Sequence, residues 1–239
     1  MNNANTNTLY QYGTLAMLVP GLFEGTLPLK ELLKHGDTGI GTGDGLDGEL
    51  VILNGVAYQI DGDGKVNELD DDFMVPFGDV HFASFEHLAN VHALVKMEDL
   101  EEKVSSKLDW NNVFYAVKAH GTFKSVKARS VHKQEKPYPT LVECAHKQNE
   151  FDAEDVEGTV IGYFSPQIFN GAAVGGFHLH FLADDKSVGG HLLDFEMVSG
   201  DIKVQKLDEL VQKLPSSNDD FMKHDFSKDD IAGAIGEAE

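Results

Sequence analysis

Cysteine is nearly missing from this 239-residue chain: Cys144 is the only one, so no intramolecular disulfide forms and a thiolate-ligated metal lacks partners. Metal chemistry, if any, must run through histidine and carboxylate. Cys144 itself, within Leu141-Val142-Glu143-Cys144-Ala145, reads as a packed thiol rather than a nucleophile. Basic residues are scarce as well. There are 19 Lys plus Arg against 40 Asp plus Glu, a formal net charge of −21, which argues against a nucleic acid or an anionic membrane as partner. Arginine occurs once, as Arg129. No run approaches the roughly 18 consecutive apolar residues of a spanning helix, and residues 1–25 contain neither Lys nor Arg. A soluble cytoplasmic protein is expected. What is present, 41% hydrophobic residues with 9% aromatics, suffices for a sizeable core.

The densest chemical signal is Gly175-Gly176-Phe177-His178-Leu179-His180-Phe181-Leu182, followed by the turn Asp184-Asp185-Lys186-Ser187 and by Gly189-Gly190-His191-Leu192. On a strand, residues i and i+2 share a face, so His178 and His180 stand together while Phe177, Leu179 and Phe181 enter a core. The turn returns the chain so that His191 comes beside the pair. Three of the 11 histidines fall within these 14 residues. Three neutral imidazoles suit a catalytic Zn2+ site with a position left for water or substrate. A hairpin whose histidines merely face water is the competing reading.

Other motifs are weaker. The glycine-rich run 39–48 has no Lys, carries Asp44 and Asp47, and lacks the spacing of a phosphate loop, so nucleotide binding is rejected. Glu49 to Ile60 describes two strands joined at Asn54-Gly55. Asp61-Gly62-Asp63-Gly64 is a turn without the later ligands of a calcium loop. Residues 1–8 are expected to form a disordered tail. Leu9–Leu18 is expected as a strand, Leu27–Gly36 as a short helix, Ser84–Lys96 and Met97–Leu108 as helices, and 150–157 as acidic turns. A boundary falls near 135, leaving an amino-terminal half, 9–135, and a carboxy-terminal half, 136–239. Gly48-Glu49-Leu50-Val51 and Gly190-His191-Leu192-Leu193 echo one another, which would set Glu49 and His191 at matching positions. Arg129, alone among many lysines, fits a role that needs a planar fork, such as holding a carboxylate; a structural ion pair is the alternative.

Taken together, Gly175 to Glu196, Gly41-Thr42-Gly43-Asp44-Gly45-Leu46-Asp47-Gly48-Glu49-Leu50 and Lys127-Ala128-Arg129-Ser130-Val131 resemble the alpha-acetolactate decarboxylase family, over a span from about Leu9 to about Asp208. The resemblance implies a lyase of acetoin biosynthesis acting on a small anionic 2-hydroxy-3-oxo acid, with zinc as Lewis acid on His178, His180 and His191. It implies that Arg129 binds the substrate carboxylate, that Thr42 and Glu49 line the site with Glu49 delivering a proton, and that a tail glutamate, Glu237 or Glu239, approaches the metal. It also implies a homodimer. A zinc hydrolase and a non-catalytic cupin-like module are the alternatives that the histidines alone leave open. The expected fold is α+β: two mixed or antiparallel β-sheets in two related halves with a few flanking helices, since strand signals dominate without regular strand–helix alternation.

Overall fold

A computed structural model describes residues 5–105 and 111–238. The strands are β1 (Thr8–Tyr12), β2 (Leu27–Pro28), β3 (Thr38–Thr42), β4 (Glu49–Leu53), β5 (Val56–Ile60), β6 (Val66–Glu68), β7 (Met74–Val75), β8 (Phe77–His81), β9 (Glu86–Val91), β10 (Val95–Lys96), β11 (Phe114–Ser130), β12 (Asn149–Ser165), β13 (Gly176–Ala183), β14 (Gly189–Leu207) and β15 (Glu209–Lys213). The helices are short: α1 (Leu15–Leu18), α2 (Leu29–Leu32), α3 (Met97–Ser105), α4 (Leu141–Ala145), α5 (Asp219–Lys223) and α6 (Ile231–Ala238).

Two sheets carry the molecule, as an α+β chain rich in strand signals should build them. The first has seven strands in the order β15-β1-β8-β3-β4-β5-β6, antiparallel except for the parallel pair β1–β15. The second has six, with β14, β11, β12 and β13 as neighbours and β9 and β10 on the outer side of β14. Because β13 also pairs with β14, these four strands close on one another. Strand periodicity then sorts the side chains. Val117, Ala119, Val160, Leu179 and Phe181 fill one core, whereas Phe114, Ala116, Ile161, Tyr163 and Leu182 face the first sheet and pack on Ile40, Val51 and Ile60. The expected halves exchange strands: β9, β10 and β11 join the six-stranded sheet, and β15 crosses back to the seven-stranded one.

Local chemistry explains the elements. The β4–β5 hairpin turns at Asn54 and Gly55, both with positive φ (53° and 80°), as a two-residue loop matched to strand twist requires. Thr140 and Glu143 form a capping box at the start of α4.

Several expectations are corrected. The strand expected over Leu9–Leu18 stops at Tyr12; Gly13 turns the chain with φ of 72°, and the Thr14 hydroxyl accepts from the Met17 N–H to start α1. Leu27–Pro28 is strand, so the next helix is only Leu29–Leu32. The helix expected over Ser84–Lys96 is instead β9 and β10, because the long edge of β14 offers both a ladder, and pairing overrides a marginal helical signal. Residues 150–157 are not turns but part of the 17-residue β12, in which Glu150, Asp152 and Glu154 pair with Arg129, Lys127 and Ser125 of β11 and Glu157 with Thr122. Of the helix expected over Met97–Leu108, Met97–Ser105 is helical and the remainder lies outside the described residues.

Candidate active site

The β13–β14 hairpin places His180 directly opposite His191, and His178 lies two residues along the same face. Gly190 makes the register possible: its φ is 134°, and a Cβ there would stand 2.3 Å from the Arg129 carbonyl oxygen. The three rings lie with centroids 5.1 to 5.5 Å apart, and one ligand nitrogen from each comes within 4.8 Å of the others. No other group of three such ligands occurs among the described residues. All three imidazoles are buried. Burial, followed by the Arg129 charge, pushes His178 down to about 3. Burial likewise holds His180 and His191 well below the usual histidine range. The neutral imidazole, the form that ligates a metal, is therefore the resting one.

The orientation of His180 is fixed from outside the hairpin. Its Nδ1–H donates to the Leu50 carbonyl at 2.8 Å, which leaves Nε2 as the lone-pair nitrogen turned inward. That Nε2 is buried without a hydrogen-bond partner. Glu49 Oε2 is 3.5 Å away, an ion-pair distance without hydrogen-bond geometry. An orphaned buried acceptor costs about 1–3 kcal/mol in a fold that gains nothing from it. Converging neutral nitrogens beside a carboxylate fit a cation such as zinc, and the site meets that test.

Glu49 opens β4, whose strand packs across β13 and β14 and so aims the carboxylate at the histidines. Thr42 is its partner across β3–β4, and the Thr42 hydroxyl donates to the Gly48 carbonyl at 2.8 Å. Gly48 needs its left-handed φ of 71°, since a Cβ would sit 2.2 Å from the Ile60 carbonyl oxygen. Thr42 thus locks the loop that delivers Glu49. On β11, Arg129 pairs with His191 in register, and its buried guanidinium donates through Nη1 to Gln148 Oε1 at 2.6 Å.

Thr42, Glu49, Arg129, His178 and His191 line one pocket, together with Leu15, Leu18, Leu46 and Phe77 and, from the other side, Val131, Leu141, Ala145 and Ala238. The apolar wall is built by α1, α4 and α6, which share a core containing Cys144, whose thiol burial pushes up to about 11. Of the tail glutamates, Glu237 accepts from His146 Nε2 at 3.0 Å on the exposed side of α6, and Glu239 lies outside the described residues. The sequence reading did not find Gln148, the Leu50 carbonyl or the helical wall. A backbone acceptor leaves no residue signature, and Leu15 and Leu18 fall within the span expected as strand.

The family model described as alpha-acetolactate decarboxylase matches residues 9–228. An alpha-acetolactate decarboxylase of Brevibacillus brevis is 44% identical over 95% of this chain and 79% of its own, and that of Bacillus licheniformis is 37% identical over 98% and 92%. The crystal structure of alpha-acetolactate decarboxylase from Bacillus subtilis strain 168 superposes with a TM-score of 0.93 at 34% identity, covering 97% of this chain and 99% of that one. With a family match across most of its length, and the same fold at this level of identity, the chain belongs to the alpha-acetolactate decarboxylase family.

Proposed function

We propose that the chain is a carboxy-lyase that converts alpha-acetolactate to acetoin and carbon dioxide, with a metal ion, zinc, held by His178, His180 and His191. The observation that carries the reading is the convergence of His178, His180 and His191, with ligand nitrogens within 4.8 Å of one another, beside Glu49 in a pocket shared with the chain's one arginine. Zinc, when bound, supplies a Lewis acid for the electrons that remain on the substrate after carboxylate loss. Arg129 binds the substrate carboxylate through its planar fork, for which the Gln148 amide gives way, and orients the breaking bond. The carbon left behind must take a proton. Glu49, one ion-pair distance from His180, delivers it, and Thr42 keeps the Glu49 loop in place. The apolar wall excludes water, which strengthens each of these contacts.

A zinc hydrolase would use the same histidines but would have no use for a buried guanidinium opposite His191, and a non-catalytic module would need neither Glu49 nor Arg129. Of the two tail glutamates, Glu237 or Glu239, proposed to approach the metal, Glu237 is held by His146 on the exposed side, and the end of α6 at the pocket wall, Ala238, supports Glu239. No described helix is long and apolar enough to cross a membrane. A cytoplasmic homodimer is the assembly we propose from the family resemblance. The test is incubation with racemic acetolactate, following carbon dioxide and acetoin, before and after chelation and with zinc restored. Zinc-dependent acetoin is the expected result; no product above the spontaneous rate sinks the reading.

A further inference from the structure

Along the face of β11 that meets the first sheet, Phe114 and Ala116 are buried in the inter-sheet core, and the next two residues on that face are Lys118 and His120. There the apolar interface opens into a groove of about 440 Å³. One wall is the β4–β5 hairpin tip, with Asn54 and Tyr58; the other is the β13–β14 turn, with Asp184 and Lys186. Lys203 of β14 completes it.

On a chain of net charge −21 this groove is an exception, with Lys118, Lys186 and Lys203 set against Asp184 and Asp201. Lys118 stands directly opposite Lys203 in the β11–β14 ladder, and like charges in that relation destabilise a sheet. The two carboxylates present are already engaged. Asp201 holds Lys203 at 3.0 Å, and Asp184 accepts from His120 Nε2 at 3.0 Å. No carboxylate among the described residues lies within ion-pair distance of the half-buried Lys118, and burial with Lys203 lowers its pKa. Lys186, in a left-handed conformation with φ of 63°, is held 4.7 Å above the Tyr58 ring, again without a carboxylate. Lys118 on β11 and Lys186 on the turn, neither of them in an ion pair among the described residues, face one concavity, where Asp184 and Asp201 act on Lys118, and Asp185 on Lys186, only at longer range.

We infer that this groove binds a small dianion, a phosphoryl group, bridging Lys118 and Lys186 and so clipping the tip of the β4–β5 hairpin to the turn of the β13–β14 hairpin. The inference does not rest on the proposed reaction. A dianion offers acceptors to two ammonium groups that no carboxylate among the described residues contacts; an ammonium is a common phosphate partner. Tyr58 provides a flat apolar surface beside the phosphoryl position, which suits an ester with a planar group over the free ion.

The test is calorimetric titration with inorganic phosphate and with phenyl phosphate, at ionic strength held constant with sodium chloride, beside thermal unfolding in the same buffers. Saturable binding and a raised Tm are expected with both, tighter for phenyl phosphate if an ester is the occupant and equal if the free ion is. Lys118→Met and Lys186→Met should each weaken binding by roughly tenfold or more, as loss of one charge-assisted hydrogen bond does. Lys206→Met, outside the groove, should leave it unchanged. Without phosphate, Lys118→Met should unfold no earlier than the parent, because it relieves the repulsion with Lys203. Should it fail to fold, Lys186→Met carries the test alone. Heat that merely follows ionic strength, or equal binding by the Lys186 and Lys206 variants, overturns the proposal. So does a change of sedimentation in Lys118→Met with no phosphate effect, which would make the groove a contact between copies.

Discussion

Two buried polar clusters, one of three histidines and one around His81, adjoin across the β12–β13 ladder, where Tyr163 pairs with His178, and they differ in what their nitrogens meet. In the first, His178, His180 and His191 turn ligand atoms toward one point. In the second, on the first sheet, His81 Nδ1 lies 2.8 Å from the Tyr163 hydroxyl, and that oxygen also lies near the carbonyls of Thr38 and Asp79. Burial pushes His81 down to about 4 and Asp79 up to about 7. Each cluster contains an orphaned atom, His180 Nε2 in one and His81 Nε2 with Asp79 Oδ1 in the other. Burial and a depressed pKa are therefore shared and do not mark a metal site. Convergence of three donors does, and only the hairpin register supplies it.

The sharpest way to break this comparison is to truncate one histidine from each cluster. His180→Ala should lose the metal and reduce acetoin formation to the spontaneous rate. His81→Ala should keep one metal per chain while losing about 2–4 kcal/mol of stability through the cavity left behind. Metal analysis beside the acetoin assay decides, and full zinc content in His180→Ala would remove it from the ligand set. Next in size, Glu49→Gln should retain metal and substrate affinity while turnover falls by roughly 10²- to 10⁴-fold, the usual worth of a positioned proton donor. Chiral analysis of the acetoin shows whether solvent then supplies the proton; unchanged rate and enantiomeric purity would assign that role elsewhere. The same logic applies to Arg129→Lys, which keeps the charge but loses the fork, and should impair affinity and turnover together.

The second cluster is sharpened by pH. An acid whose pKa is higher in the folded chain keeps its proton where the unfolded chain has released it. Asp79 thus makes stability fall as pH rises from about 4 to about 7, by on the order of 4 kcal/mol at most. His81 has the opposite sign: with its pKa lowered to about 4, stability falls as pH drops below about 6.5. Asp79→Asn should therefore stabilise the chain at pH 8 relative to the parent and do so much less at pH 5, as read by denaturant unfolding at both values. An equal effect at the two pH values would show that Asp79 is not the titrating group. The smallest effect is expected from Thr42→Val, which strips the Gly48 carbonyl of its donor. About 1–3 kcal/mol of stability and a few-fold of turnover should be lost; a larger loss of turnover with unchanged stability would instead make Thr42 a substrate contact.

The histidine triad was legible because strand periodicity, a tight turn and glycine pairs are all local signals. Glu49, Thr42 and Arg129 came from motif resemblance, and the structure gathers them into the same pocket as His178 and His191. What fixes them was not legible. The carbonyl of Leu50 reaches His180 across 130 positions, and any residue type would supply it. The reading of Ser84–Lys96 as helix failed for a related reason, since a sequence window does not contain the β14 edge that β9 and β10 complete. The turns expected at 150–157 likewise became strand because β11 extends far enough to pair with all of them except Asp155. The expected α+β class survived because these two errors converted helix or turn into more sheet, against the short stretch Leu15–Leu18 that went from strand to helix.

The parallel pairing of β1 with β15 has a consequence for biogenesis. Thr8 meets Glu209, a partner 201 residues later in the chain. At ordinary synthesis rates of about 5–20 residues per second, β1 waits on the order of 10–40 s on the ribosome before that ladder can form. Its outer edge, with the buried aromatic residues Tyr10 and Tyr12, is an unpaired β template throughout that interval. The α6 wall of the pocket, made later still, closes after it. Newly made chains should accordingly pass through a stage that has the β13–β14 hairpin but no finished cavity, and that stage is where a chaperone has most to protect.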